Sequence, residues 1–246
     1  MNFDIALQTD IGKKRKNNQD NGAVFAELGL FIVADGMGGH KGGEIASKIA
    51  VETLPLVVKK AQEDKSWDQK KIMTTAIKKA NSNIYEQSKV NENLRGMGTT
   101  TTAILIKDTK MTIGHVGDSR CYYLRKDSIW QLTRDHSLVQ EKLRAGLISR
   151  DQIESDLMKN IITRSVGYEA KVDVDLYEMD IKPGDTFLIC SDGLSGQVND
   201  SELLKITQKY LFNKKNIQSA VKQMVDSANA NGGDDNITVL LVQAGN

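Results

Sequence analysis

Proline is nearly absent: Pro55 and Pro183 are the only two in 246 residues. No Pro-rich or Ser/Gly-rich stretch divides the chain, so residues 1–246 are expected to form one domain. Cysteine is equally scarce. Cys121 and Cys190 stand alone, without a CxxC pair, which leaves zinc and thioredoxin-type chemistry unsupported and fits a reducing compartment. No arginine closely follows Cys190, against a cysteine nucleophile; both thiols read as small buried hydrophobes. An excess of one charge is also missing, with 33 Lys+Arg against 32 Asp+Glu. That excludes a global basic field for nucleic acid or an anionic membrane and leaves one local basic run, Lys13, Lys14, Arg15 and Lys16. No apolar run approaches the ~20 residues that cross a bilayer. Met1 to Asp10 lacks a basic-then-apolar signal pattern. The expectation is a cytoplasmic protein with no membrane insertion and no nucleic-acid partner.

What is present is 39% hydrophobic residues, enough for a substantial core. Phe3 to Thr9 alternates and reads as a strand; Ala23 to Glu27 and Leu28 to Ala34 read as two more, joined tightly near Gly29. Ile45, Ile49, Val51, Leu54 and Val58 fall close to a helical period over Glu44 to Val58, with Pro55 predicted to kink or end the helix. Trp67 to Ser88 repeats the pattern through Ile72, Ala76, Ile77, Ala80 and Ile84. Thr99 to Ile106, Met111 to Val116, Arg120 to Leu124 and Ile129 to Leu132 read as short strands whose connections permit only antiparallel pairing. Asp135 to Asn160 is polar, partly helical and broken at Gly146, and reads as a surface excursion. Strands follow at Asp173 to Met179 and Thr186 to Cys190, helices at Asp200 to Leu211 and Asn216 to Asn229, and a last strand at Ile237 to Val242. Strand clusters and two helix pairs predict an α+β fold with antiparallel sheet in the centre and helices outside; two packed sheets are compatible with it, but the pattern does not count them.

Four aspartates share one setting. Leu30 to Ala34 runs into Asp35-Gly36, Phe187 to Cys190 runs through Ser191 into Asp192-Gly193, Ile113 to Val116 runs into Gly117-Asp118-Ser119, and Asp234-Asp235-Asn236 opens the last strand. A single Asp-Gly is most simply a hairpin turn. As a set, aspartates at the ends of strongly apolar strands point elsewhere. Converging carboxylates repel and raise each other's pKa unless a cation neutralises them. Oxygen-only ligands select Mg²⁺ or Mn²⁺ over Zn²⁺. Two such ions about 3.5–4 Å apart generate a hydroxide and stabilise in-line displacement at phosphorus. Arg15 is a candidate to clamp phosphate oxygens; the plainer reading makes it part of a solvated basic face.

The chain resembles the metal-dependent serine/threonine protein phosphatases of type 2C in their short bacterial form. The likeness spans nearly the whole length and rests on Arg15-x-x-Asn18-Gln19-Asp20, Asp35-Gly36-Met37-Gly38-Gly39-His40, Gly96-Met97-Gly98-Thr99-Thr100, Gly117-Asp118-Ser119-Arg120, Thr163-Arg164-Ser165-Val166-Gly167, Ser191-Asp192-Gly193-Leu194 and Gly233-Asp234-Asp235-Asn236-Ile237-Thr238. Each motif alone is weak; their order and spacing are specific. The resemblance implies a four-layer αββα fold, a central β-sandwich of two antiparallel sheets flanked by pairs of helices. It implies two or three Mn²⁺ or Mg²⁺ ions, with Asp35 bridging two, the Gly36 carbonyl as a further ligand, and Asp192 and Asp235 completing the second ion's shell. Asp20 would act through water, Asp118 would hold a third, weaker ion, and Arg15 would bind the substrate phosphate. Residues around 136–160 would match the family's flap beside the active site. Substrates would be phosphorylated proteins, opposed to a cognate Ser/Thr kinase, and the chain would be a monomer.

Two departures matter. Many eukaryotic relatives carry a histidine, the proposed general acid, where this chain has Met37, which cannot donate a proton. Gln19 replaces the first outer acid of many relatives and leaves that role to Asp20. His40 follows the glycine loop and is a possible auxiliary group; His115 reads as a core residue and His136 as a helix cap. The mechanism expected is direct attack by a metal-bridging hydroxide without a phospho-enzyme, since Ser119, Ser165 and Ser191 have no histidine paired with them in sequence. Two rivals remain: a non-catalytic phosphoprotein-binding member of the same fold, against which Asp35, Asp192 and Asp235 all stand, and a two-metal nuclease, which predicts a basic groove.

Overall fold

A computed structural model describes residues 2–39, 41–64, 67–153 and 155–245. In chain order its first strands are β1 (Phe3–Asp10), β2 (Asp20–Phe25), β3 (Leu30–Met37), β4 (Gly98–Thr99), β5 (Thr101–Lys107) and β6 (Lys110–Val116). They are followed by β7 (Arg120–Arg125), β8 (Ser128–Gln131), β9 (Asp175–Asp180), β10 (Thr186–Cys190) and β11 (Ile237–Ala244). One antiparallel sheet has the order β1-β11-β10-β7-β8 and the other β2-β3-β5-β6-β9, with β4 paired to the end of β3. The helices are α1 (Gly42–Glu63), α2 (Gln69–Val90), α3 (Leu138–Arg144), α4 (Asp192–Ser195), α5 (Asp200–Ile206) and α6 (Ile217–Ala230).

The strand sequences explain the layering. β3 is apolar at every position from Leu30 to Ala34 because both its faces are covered. Leu30, Ile32 and Ala34 meet Leu54, Val58, Met73 and Ile77 of α1 and α2. Phe31 and Val33 point the other way, into a layer shared with Phe187, Ile189, Leu240 and Val242 of the opposite sheet. On that sheet's far side Leu188, Val239 and Leu241 pack on Leu203, Val221 and Met224 of α5 and α6. Each such large side chain, fully buried, contributes about 1.5–3 kcal/mol. The result is the helix-pair, sheet, sheet, helix-pair stack expected for the fold class.

Four local expectations need correction. Pro55 sits inside α1 and does not end it; the helix continues to Glu63. Losing one backbone donor costs about 3 kcal/mol, and burial of Leu54, Val58 and Ala61 against the sheet offsets it. The connection from β6 to β7, though three residues long, does not make a hairpin: Gly117-Asp118-Ser119 crosses from one sheet to the other. The segment expected as a surface excursion begins inside the protein. Asp135, His136 and Ser137 are all buried, and exposed residues begin only at Glu141, inside α3. His136 is no helix cap: its Nδ1 accepts from the Gly117 amide at 3.0 Å and its Nε2 meets Asp175 Oδ2 at 3.1 Å. No helix among the described residues is long and apolar enough to cross a membrane.

Candidate active site

The carboxylates meet at one end of the sandwich. Asp20 opens β2 and lies directly opposite Asp35 in the antiparallel ladder with β3. Asp118 sits in the crossover between the sheets, Asp192 follows β10 at the start of α4, and Asp235 precedes β11. Two glycines make this approach possible. A Cβ on Gly36 would stand 2.0 Å from the Gly43 carbonyl oxygen, and one on Gly193 would stand 2.0 Å from that of Asn236. Asp-Gly here serves close approach of backbone rather than a hairpin turn.

Burial and mutual repulsion dominate the electrostatics. Asp35 is pushed well above the usual carboxylate range, first by burial and then by the charges of Asp20, Asp192, Asp118 and Asp235. It is the member that feels all the others. Burial lifts Asp20 to about 7 and carries Asp118 well up, and Asp192 is raised by burial and by Asp235. Asp20 Oδ1, Asp118 Oδ1 and Asp192 Oδ1 are buried without a hydrogen-bond partner among the described residues. A buried carboxylate oxygen without a donor is costly, and here three point into one acidic cluster. The donor set is oxygen throughout and fits hard divalent cations. Among the described residues no three Asp, Glu, His or Cys side chains form a ready-made cage.

Arg15 reaches this cluster across the chain. Its Nη2 lies 2.5 Å from Asp235 Oδ2, and the guanidinium remains half exposed. Lys14 pairs with Asp234 in the same way. Half of the basic run thus meets an acidic loop. Asn236, buried, holds the two loops together: its Nδ2 donates to the carbonyls of Ile11 and Asn17, and its Oδ1 accepts from the Gln19 amide at 2.8 Å. Arg120, next to Asp118, grips Asp135 through Nε and Nη2 at 3.0 and 2.8 Å.

The structure adds residues that the sequence reading had not given a role. Thr99 Oγ1 donates to the Asp35 carbonyl at 2.8 Å, while Thr100 Oγ1 accepts from the Asp35 amide at 3.0 Å and pairs with Ser119 Oγ at 2.7 Å. Ser191 Oγ donates to Asp20 Oδ2 at 2.7 Å and accepts from the Thr238 amide at 2.9 Å. The available signal was only position: each hydroxyl stands beside an aspartate or in a neighbouring motif. Thr100→Val keeps the shape but leaves the buried Asp35 amide without that acceptor. It is expected to cost about 1–3 kcal/mol, read as a lower thermal midpoint, and to lower kcat roughly tenfold through misplacement of Asp35. An unchanged kcat would remove the hydroxyl from the positioning of Asp35.

The remaining candidates separate. His115 is buried between Thr102 Oγ1 and the Arg134 carbonyl, and burial pushes it down to about 3, so it stays neutral in the core. His40 lies outside the described residues. Cys121 and Cys190 are both buried free thiols. Ser119 and Ser191 are fully buried and engaged with Thr100 and Asp20, not with a histidine.

Comparison with known proteins follows the same lines. The family model described as protein phosphatase 2C matches residues 11–241. The chain is 40% identical over 246 residues to the serine/threonine phosphatase stp of Listeria innocua, covering 96% of this chain and 94% of that one. Its fold is similar to that of the Mycobacterium tuberculosis serine/threonine phosphatase PstP/Ppp, with a TM-score of 0.90 and 31% identity over 100% of both chains. It is likewise similar to the catalytic domain of PstP in complex with two manganese ions, with a TM-score of 0.87 and 31% identity over 99% of both.

Proposed function

The chain belongs to the protein phosphatase 2C family, and from that premise we propose that the acidic cluster around Asp35 is its phosphatase centre. The protein is a metal-dependent phosphatase of phosphoserine and phosphothreonine in proteins and uses divalent metal ions. The observation that carries the site assignment is the convergence of Asp20, Asp35, Asp118 and Asp192 with three unpartnered buried oxygens, beside a half-exposed arginine.

In this reading Asp35, the Gly36 carbonyl, Asp192 and Asp235 would hold two Mn²⁺ or Mg²⁺ ions. Asp118 would hold a third, and Asp20, fixed by Ser191, would act through water. Divalent ions bound there would neutralise the carboxylates and make water acidic enough to serve as nucleophile near neutral pH. Arg15 stands at the mouth of the cluster, where its planar fork can take two phosphate oxygens and hold the phosphorus for in-line attack. Attack is direct. The site's buried serines are already hydrogen-bonded and have no paired base, which supports a route without a phospho-enzyme. Met37 offers no proton to the leaving alkoxide, so water is the proton source that fits best. The same reading makes the protein a cytoplasmic monomer of one domain, with a flap around 136–160, opposing a cognate Ser/Thr kinase.

The test is hydrolysis of a phosphothreonine peptide in Mn²⁺, in chelator, and by Asp192→Ala in Mn²⁺. Activity should require the metal and collapse in the variant. Full activity in chelator or in the variant would sink the metal-cluster assignment. An inert metal-loaded wild type would favour a phosphoprotein-binding role instead.

A further inference from the structure

A groove of about 460 Å³ opens beside the acidic cluster, between Met37 and residues 162–173. Met37 ends β3, two residues after Asp35, so the groove wall starts roughly 7 Å from Asp35 at about 3.3 Å per residue. The opposite wall is tied to the same carboxylate. Val166 and Thr99 exchange both backbone hydrogen bonds, at 3.0 and 2.8 Å, and Thr99 Oγ1 holds the Asp35 carbonyl. Tyr168 stands on this wall, 58% exposed, with one ring edge toward Gly96. The groove is also charged. Arg164 is committed to Asp175 at 2.6 Å, whereas Glu169, Lys171 and Asp173 line the space without an ion pair among the described residues. Two open carboxylates against one ammonium leave a net negative rim.

The geometry points to a substrate subsite: the groove holds the polypeptide flanking the phosphoresidue, with Tyr168 as its wall and a preference for a basic side chain about two residues away. The inference rests on the phosphatase reading and adds what part of the substrate is read. A phosphate group alone cannot span this distance, so a small phosphate ester does not sample the groove. Charges at the rim act over about 8 Å at physiological salt, which limits the effect to near neighbours.

The experiment uses the Mn²⁺-loaded protein. Three phosphothreonine peptides carry Lys, Ala or Glu two positions to either side of the phosphothreonine, and p-nitrophenyl phosphate serves as the small substrate. For wild type, KM should rise several-fold from the Lys to the Glu peptide. Glu169→Gln with Asp173→Asn should erase that order. Tyr168→Ala should raise KM for all three peptides several-fold while leaving kcat and p-nitrophenyl phosphate hydrolysis unchanged. Equal KM values for the three peptides, or a Tyr168→Ala variant that slows the small substrate as much as the peptides, overturns the subsite. Failure of wild type on peptide and small substrate alike overturns the phosphatase reading itself, which is a distinguishable result.

Discussion

Asp35→Asn is expected to lower phosphothreonine-peptide hydrolysis by about a thousandfold while raising the thermal midpoint of the metal-free protein. The two effects have opposite signs for one reason. Asp35 carries a charge that burial and four neighbouring carboxylates oppose. On the proposed assignment that charge would bind divalent ions; without them, it is a liability. The amide is nearly isosteric and keeps the backbone clamp from Thr99 and Thr100. Simple unfolding would lower activity and stability together, so parallel thermal melts in chelator separate the two causes. Activity within tenfold of wild type would remove Asp35 from the centre of the site.

The chelated protein should lose stability as pH rises from about 4 toward 7, the reverse of ordinary acid denaturation. Asp20 titrates near 3.8 when unfolded and at about 7 in the fold. Between these values the folded state binds more protons, so stability falls with rising pH. The contribution is fully present below the unfolded pKa and lost as pH passes the folded one. For Asp20 alone it is on the order of 4 kcal/mol, or on the order of 10 °C in thermal midpoint for a chain of this size. Asp35, Asp118 and Asp192 are raised too and act in the same direction. Asp156, Asp175 and Asp234 are lowered and act oppositely, but below about 4. His115, lowered to about 3, and His136, also lowered, act oppositely within the window below their unfolded value, and the decline is the net effect of four raised carboxylates against these two imidazoles. Excess Mn²⁺ should shrink the decline, adding about 2.7 kcal/mol at a hundred times its dissociation constant. A midpoint that is flat or rises over this window in chelator would contradict the electrostatics of the cluster.

Much of the fold was legible because its central strands are buried on both faces. Leu30 to Ala34, Phe187 to Cys190 and Ile237 to Val242 are apolar at nearly every position, which half-exposed strands are not. The helix periods over α1, α2 and α6 were equally plain, since each places one stripe against a sheet. Pro55 does not end α1 because tertiary burial against the sheet offsets its local cost. The crossover at Gly117 to Ser119 misled because connection length limits which pairing is possible but does not require the strands to pair.

The sequence by itself determined the layered α+β class and the placement of aspartates at the ends of its apolar strands. These are properties of local pattern and residue chemistry, readable within a few positions. Only the tertiary structure decided which groups meet. Arg15 faces Asp235 across 220 positions, and Ser191 holds Asp20 across 171. Those contacts follow from sheet register and from how the two sheets stack, and both depend on summed packing over the whole core rather than on any short run of residues.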